Sequence, residues 1–97
     1  MAGHSSAIQL LENKDDLVAE DWQFWVGGRS ALVVQATSYP TTLGLQLLGR
    51  DGQAIAASAN ITADGITSLD LPPGQYRMNL ATGTATDVYA TLVRIIY

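Results

Sequence analysis

No cysteine occurs among the 97 residues of the chain. Without thiols the chain can form neither a disulfide framework nor a thiolate metal site, so its stability must come from packing or from association with neighbouring subunits. Charged residues make up only 14% of the chain, and five Lys and Arg stand against nine Asp and Glu. The resulting net charge of −4 opposes binding to a phosphate backbone, and we expect no nucleic-acid partner.

Long hydrophobic runs are also missing. No segment approaches the roughly 18 to 20 consecutive apolar residues that a membrane-spanning helix requires, so we expect no membrane partner. Residues 1–6 lack the basic start of a secretory signal, and the apolar run at residues 7–11 ends at Glu12. The simplest interpretation is synthesis in a cytoplasm.

The sets of residues that perform catalysis or bind metals are absent from the pattern as well. The single histidine, His4, has no second imidazole and no thiolate with which to complete a metal site. The Asp-Gly pairs at Asp51 and Asp64 lack the alternating acids and the Glu of a calcium loop. Residues 27–30 (GGRS) lack the Lys and Ser/Thr of a phosphate-binding loop. We therefore predict no enzyme activity, no cofactor and no metal.

The one acidic cluster lies near the N-terminus, in a segment that differs from the rest of the chain. It comprises Asp15, Asp16, Glu20 and Asp21, and no apolar frame surrounds it. A solvated segment that docks on a basic partner surface is therefore expected in place of a catalytic pair. We predict an N-terminal arm over residues 1–21, with a short strand at residues 8–10. One helical turn is predicted at residues 15–20, where acids near the start suit the helix dipole.

Beyond residue 21 the pattern changes to short alternating segments separated by turn residues. Gly27-Gly28 predicts a hairpin between residues 22–26 and 31–37. Asp51-Gly52 tolerates the positive φ of a tight primed turn and predicts a second hairpin. A third turn is expected at Asp64-Gly65.

Residues 71–80 (LPPGQYRMNL) hold the clearest turn of the chain. Pro-Pro-Gly pre-sets one φ and supplies a residue free to take positive φ, so it joins two extended segments with alternating apolar residues. Residues 93–97 stay apolar and are expected to pair in a sheet. With seven or eight short strands and no helix of useful length, residues 22–97 predict an all-β fold: a single antiparallel β-sandwich or jelly-roll-like domain.

The aromatic residues of the first predicted strand point to both of its faces, because successive side chains alternate. Trp22 and Phe24 share one face, and Trp25 lies on the other. One of the two faces of this strand must pack in the core. A ring exposed on the opposite face would serve as a subunit anchor, a sugar-stacking platform or the lid on a second small cluster, and interface use is more frequent than sugar binding.

The sequence resembles small all-β virion proteins of tailed bacteriophages, most of all head decoration (cement) proteins. The resemblance covers about residues 22–97 and rests on residues 25–32 (WVGGRSAL), 45–52 (LQLLGRDG) and 71–77 (LPPGQYR). It implies a non-enzymatic structural protein, located on the capsid surface of the virion, that strengthens the shell. Its partners would be major capsid protein subunits and copies of itself, as a homo-oligomer on the virion.

On this hypothesis the arm lies along the capsid or reaches into an adjacent copy, and the sandwich associates through exposed β edges and an aromatic patch. The expected capsid or subunit contacts are Ile8, Leu10, Leu11, Trp22, Trp25 and Tyr39. Removal of residues 1–20 is then expected to abolish capsid binding and to leave the sandwich folded.

A second hypothesis is a carbohydrate- or receptor-binding β-sandwich of a phage tail or head fibre, with Trp and Tyr rings as stacking surfaces. It predicts an exposed aromatic row beside polar side chains such as Gln23, Asn79 or Asp87. The decoration hypothesis instead predicts that those rings are buried against protein.

Overall fold

The computed structural model describes residues 7–18 and 21–95, which form eight β-strands in two four-stranded sheets. The strands are β1 (Ala7–Lys14), β2 (Gln23–Trp25), β3 (Gly28–Gln35), β4 (Thr42–Leu48), β5 (Ala54–Ala56), β6 (Gly65–Leu71), β7 (Gly74–Ala81) and β8 (Val88–Arg94). The first sheet has the order β1-β8-β3-β6 and the second the order β2-β7-β4-β5. Every pairing is antiparallel, so the predicted all-β antiparallel sandwich is confirmed.

The strand order is that of a jelly roll, and it follows from rolling up one long hairpin. β4 pairs with β5, β3 with β6, β2 with β7 and β1 with β8, so the two halves of the chain run side by side as a ribbon. Rolling the ribbon brings β8 against β3 and β7 against β4, which completes the two sheets. Of the two predicted architectures, the structure therefore adopts the jelly roll.

The core lies between the two sheets. Because side chains alternate along a strand, every second residue of β3, β7 and β8 is buried. The buried hydrophobic residues are Leu10, Leu11, Trp25, Leu32, Val34, Leu43, Leu45, Leu71, Tyr76, Met78, Leu80, Ala85, Val88, Ala90 and Leu92. Removing this apolar surface from water is the main favourable contribution to folding.

Strand β1 makes the described part of the predicted arm an integral part of the sandwich. The strand predicted at residues 8–10 is present and longer than expected, since β1 pairs with β8 over Ala7–Lys14. A register shift between Gln9 and Leu11 marks a β-bulge, and both Leu10 and Leu11 are buried in the core. The predicted boundary at residue 22 is corrected accordingly, because the sandwich already includes β1.

The acidic segment after β1 forms a bend. Residues 15–18 contain no helical turn, and residues 19 and 20 of the predicted turn lie outside the described residues. Asp16 accepts a hydrogen bond from the Val18 backbone N–H at 3.4 Å and pairs with Lys14 Nζ at 3.2 Å. These contacts hold the pKa of the Asp16 carboxyl below its ordinary value, Lys14 being the larger cause.

The hairpin predicted at Gly27-Gly28 is wrong, because β2 belongs to the second sheet and β3 to the first. The two glycines, with φ of 83° and 92°, lead the chain across the sandwich. The segment after Leu71 crosses back from β6 to β7, and the two crossings touch each other. A Cβ on Gly27 would lie 2.6 Å from Pro73 N and 2.7 Å from Leu71 O, so only glycine fits there.

The Pro-Pro turn is secured by a buried tyrosine two residues into β7. The Tyr76 hydroxyl donates a hydrogen bond of 2.6 Å to the Pro72 carbonyl oxygen, and its ring is fully buried. Burial raises the pKa of this hydroxyl. A tyrosine bonded to the backbone a few residues upstream is also the corner device of immunoglobulin-like sandwiches. The bond therefore fixes the path of the chain from one sheet to the other.

The second predicted hairpin is confirmed, since Leu48 pairs with Ala54 and Gln46 with Ala56. Its turn has Asp51 at φ 57° and Gly52 at φ 76°, and the Gln53 N–H donates to the Arg50 carbonyl at 3.0 Å. Two central residues with positive φ are the mark of a type I′ turn. The third expected turn is a bend at residues 63–64, directly before β6.

Between β5 and β6, side chains and backbone amides together replace strand pairing along the edge of β4. The Leu45 N–H donates to Ser58 Oγ, and the Leu43 N–H donates to Asn60 Oδ1, each at 2.9 Å. Asn60 Nδ2 in turn donates to the Thr41 carbonyl at 3.1 Å. Ser58 and Asn60 thus hold this segment against the second sheet.

Candidate binding faces

The outer face of the first sheet consists of the residues that alternate with its core residues. The strand register places Gln9, Thr91, Val33 and Ile66 in one row across the sheet and Ala7, Val93, Ala31 and Ser68 in the next. None of these eight side chains is charged. We call this set the neutral face.

The neutral face is open to solvent at its β6 edge. Ile66 is 72% exposed and Val33, directly opposite on β3, is 36% exposed. The first charged pair appears one row beyond Ala31 and Ser68, where Arg29 Nε lies 3.9 Å from an Asp70 carboxylate oxygen. The two central rows are therefore free of ions, although the chain as a whole has a net charge of −4.

The outer face of the second sheet has a different chemistry. Phe24 lies opposite Gln75, Gln46 lies opposite Arg77, and Gly44 lies opposite Asn79. The Arg77 guanidinium carbon lies 4.2 Å from the centroid of the Trp22 ring. We call the set Trp22, Phe24, Gln46, Gln75, Arg77 and Asn79 the Arg77 face.

Trp25, on the opposite side of β2 from Phe24, belongs to the core. Its indole Nε1 donates to Ser30 Oγ at 2.9 Å, and Ser30 Oγ donates to the Gly28 carbonyl at 3.1 Å. Both side chains are buried, at 3% and 0% exposure. Phe24, by contrast, is 63% exposed. The predicted alternation of aromatic rings between the faces of this strand is thus present.

Burial corrects half of the expected contact set. Leu10, Leu11 and Trp25 are 3%, 1% and 3% exposed, so none of them is available to a capsid subunit on the folded protein. They are apolar because they fill the core. Ile8 packs partly against the same core, whereas Trp22 lies half-buried beneath Arg77 on the other side of the sandwich. The structure therefore does not bring the six residues together.

Tyr39, the sixth expected contact, is hydrogen-bonded within the protein. Its hydroxyl donates to Asp64 Oδ1, which also accepts the Ala36 N–H at 3.0 Å. Burial and the bond to Asp64 raise the pKa of the Tyr39 hydroxyl, and the same bond is the larger cause that lowers the pKa of Asp64. Tyr39 is thus half-buried and engaged within the chain.

An open polar cleft of about 440 Å³ lies beside this pair at the end of the first sheet, lined by Gln35, Ala36, Thr37, Asp64, Asp87 and Tyr89. The carboxylates of Asp64 and Asp87 in this cleft accept hydrogen bonds from the surrounding loops. Thr37 Oγ1 donates to Asp87 Oδ2 at 3.3 Å, and the Asp87 N–H donates to Asp15 Oδ1 at 2.7 Å. These bonds join the loop after β3 and the bend after β1 to the loop before β8.

Val33, Ile66 and Arg77 were not predicted from the sequence as residues of the two faces. In β3, Val33 and Val34 are both apolar, and composition does not tell which one faces outwards. Arg77 alternates with Tyr76 and Met78, which marks it as outward-facing, but its neighbours Trp22 and Gln46 come from distant parts of the chain. Alternation could have found the face of Arg77, and only the register identifies the neighbours.

Among the described residues, no three His, Cys, Asp or Glu side chains are grouped so that they could hold a metal ion. His4 lies outside those residues. Within residues 7–18 and 21–95 there is also no helix of the length and hydrophobicity needed to cross a membrane. Comparisons of this chain with protein-family models, with curated proteins and with solved structures found no match.

Proposed function

We propose that this chain is a capsid decoration protein, a non-enzymatic structural protein of a virion. In this role it binds major capsid protein subunits on the outside of the shell and holds neighbouring subunits together. The neutral face is the observation that carries the proposal. Two adjacent rows of uncharged side chains can approach another protein closely without desolvating an ion, which is the costly part of burying a polar surface.

Two further properties suit this role. The neutral face lies on a sheet, so its backbone is already ordered and loses little conformational freedom on binding. The small area of one copy is compensated on a lattice, because many weakly held copies that also touch one another gain avidity. The opposite face of the sandwich then points away from the shell.

The proposal is tested by co-sedimentation of the purified chain with expanded capsids of the virus that carries its gene. Saturable binding at a fixed ratio to major capsid protein subunits is expected. Ile66→Asp places a carboxylate at the exposed β6 edge of the neutral face and is expected to weaken capsid binding by about tenfold or more. Ile66 is largely exposed, so the variant is expected to fold normally.

Ile55→Asp is the matched control. Ile55 is 51% exposed and lies on β5, at the edge of the other sheet. This variant has the same change of side chain and charge and is expected to bind capsids as the unchanged protein does. Absence of capsid binding by the unchanged chain would overturn the proposed function. Equal binding by the Ile66 and Ile55 variants would overturn the assignment of the neutral face.

A further inference from the structure

The second outer face holds an arginine that is fixed in position and only partly used. Arg77 Nε donates to Gln46 Oε1 at 3.1 Å, and the guanidinium carbon lies 4.2 Å from the centroid of the Trp22 ring. A guanidinium has five N–H donors. Within residues 7–18 and 21–95, the only hydrogen bond of Arg77's side chain is the one to Gln46, so its terminal Nη groups keep their donors.

The surroundings of Arg77 favour an anion as its partner. It is the one charged residue in the four strands of the second sheet, β2, β7, β4 and β5. No carboxylate on those strands competes for the guanidinium. A planar guanidinium with two free Nη groups matches a carboxylate in a bidentate pair, which is stronger than a single neutral hydrogen bond. The stack on Trp22 and the bond to Gln46 hold it in place before any ligand arrives.

Side-chain amides flank the guanidinium along β7. Gln75, Arg77 and Asn79 point outwards from alternate positions, so the strip from Gln75 to Asn79 is roughly 13 Å long. The side chains of Gln75 and Asn79 have no hydrogen bond within the described part of the chain, and Gln46 keeps its amide donors. Amides that offer both donors and acceptors are suited to rows of hydroxyl groups.

A shallow depression of about 170 Å³ lies at the Asn79 end of the strip. It exists because Gly44, opposite Asn79, has no side chain, while Ser58 and Asn60 close its far wall. A Cβ on Gly44 would lie 3.6 Å from Ser58 Oγ, an ordinary contact, so alanine would fit there and fill part of the space.

An exposed aromatic ring lies at the other end of the strip. Phe24 is 63% exposed and stands opposite Gln75 on the neighbouring strand. The C–H face of a sugar ring packs well on such a ring, because aromatic side chains present a large, rigid apolar surface. One extended face thus combines a ring, a fixed cation, three amides and a depression.

We propose that the Arg77 face binds a short acidic oligosaccharide. A carboxylate of a uronic-acid residue accepts hydrogen bonds from the Nη groups of Arg77. One neighbouring sugar ring packs on Phe24, and hydroxyl groups on the other side bond to Asn79 and Gln46. This activity goes beyond shell decoration and is compatible with it, since the Arg77 face and the neutral face lie on opposite sides of the sandwich.

The experiment uses the free full chain and a trimer of galacturonic acid, followed by NMR chemical shifts and calorimetry. Saturable binding is expected, with the largest shifts at β7, Gly44 and the Trp22 indole. The methyl ester of the same trimer, which has no carboxylate, is expected to bind about tenfold more weakly or not at all. Arg77→Gln is expected to cause the same loss, Arg77→Lys a part of it, and Phe24→Ala a loss of several-fold.

Arg50→Gln is the matched control, because Arg50 lies in the exposed β4–β5 turn and the variant changes net charge equally. It is expected to bind as the unchanged chain does. Absence of binding by the trimer at millimolar concentration would overturn the proposal, as would equal losses in the Arg77 and Arg50 variants. Equal or tighter binding of an acidic peptide of three glutamates would also overturn it, in favour of a protein partner. No capsid enters this test, so its failure leaves the proposed decoration role standing.

Discussion

The Ser30 hydroxyl is the only polar side chain buried in the core of the described residues, and it satisfies the indole of Trp25. Ser30→Ala leaves the indole N–H without a partner, and we expect a loss of about 1–3 kcal/mol in the free energy of unfolding. Urea denaturation followed by tryptophan fluorescence measures it. Ser68→Ala, on the exposed side of β6, is the control and is expected to change stability by less than about 0.5 kcal/mol. Equal effects of the two variants would contradict the role given to Ser30.

Asp64 is a second residue whose environment has a measurable consequence. Its carboxylate accepts hydrogen bonds from the Tyr39 hydroxyl and the Ala36 N–H, and these lower its pKa in the folded protein. Because the folded pKa lies below the unfolded value of about 3.9, the bonds stabilise the fold above that pH. The stabilisation is lost as the pH falls through the folded pKa.

We therefore expect Asp64→Asn to lower the melting temperature at pH 7 and to reduce the further decrease between pH 5 and pH 2. Asp51→Asn is the control, because Asp51 has the same charge, adopts a positive φ that asparagine tolerates and makes no side-chain hydrogen bond within the described residues. Thermal melts across this pH range provide the measurement. If Asp64→Asn and Asp51→Asn melt in parallel at every pH, the Tyr39–Asp64 contact contributes nothing to the pH dependence.

At the scale of elements, the β2–β3 and β6–β7 crossings between the sheets are packed more tightly than the β4–β5 hairpin turn. Gly27 and Gly52 both have positive φ, of 83° and 76°. A Cβ on Gly27 would meet backbone atoms at 2.6–2.8 Å, whereas a Cβ on Gly52 would meet nothing within 4 Å. The same substitution at the two sites therefore separates backbone strain from steric conflict.

We expect Gly52→Ala to cost about 1 kcal/mol, which is the conformational term alone, and Gly27→Ala to cost several times as much. Equilibrium urea unfolding of both variants checks the difference. Similar costs would mean that the Pro72-Pro73 crossing can move away from residue 27, contrary to the close packing of the two crossings.

The N-terminal strand supplies a further prediction at this scale. Leu11 is 1% exposed in β1 and Leu17 is 37% exposed in the bend that follows. Leu11→Ala is expected to destabilise the protein by about 2–5 kcal/mol, because it leaves a cavity in the core. Leu17→Ala is expected to cost less than about 0.5 kcal/mol. Removal of residues 1–20 is accordingly expected to unfold the sandwich, and a stable truncated chain would contradict the inclusion of β1.

The turn residues predicted the ends of the strands more accurately than the pairing of the strands. Asp51-Gly52 and Gly27-Gly28 both read as hairpin turns, yet only the first joins paired strands. Glycine supplies positive φ equally to a hairpin turn and to a crossing, so the local sequence does not distinguish the two. The difference lies in a contact with Pro73, far along the chain, which no local pattern contains.

On the scale of the whole molecule, periodicity predicted the all-β class and the number of strands. It did not predict which face of each strand packs in the core and which faces outwards. Leu10 and Leu11 were expected to contact a capsid as part of the arm, and Trp25 as part of an aromatic patch, because large apolar side chains suit an interface as well as a core. The burial of Leu10 and Leu11 depends on β1 pairing with β8, at opposite ends of the chain. Ile66 and Arg77, which define the two outer faces, become neighbours of their partners only through the rolled ribbon.

The rolled ribbon also predicts an order of folding. The β4–β5 hairpin joins strands separated by residues 49–53, whereas β1 and β8 enclose almost the whole chain. Closing a long loop costs more conformational entropy, so we expect the tip of the ribbon to form early and the β1–β8 pairing to form after the rate-limiting step. Gly52→Ala should therefore slow folding, and Leu11→Ala should mainly accelerate unfolding. Stopped-flow folding and unfolding rates across urea concentrations test this, and a Leu11→Ala variant whose whole loss of stability appears in the folding rate would reverse the order.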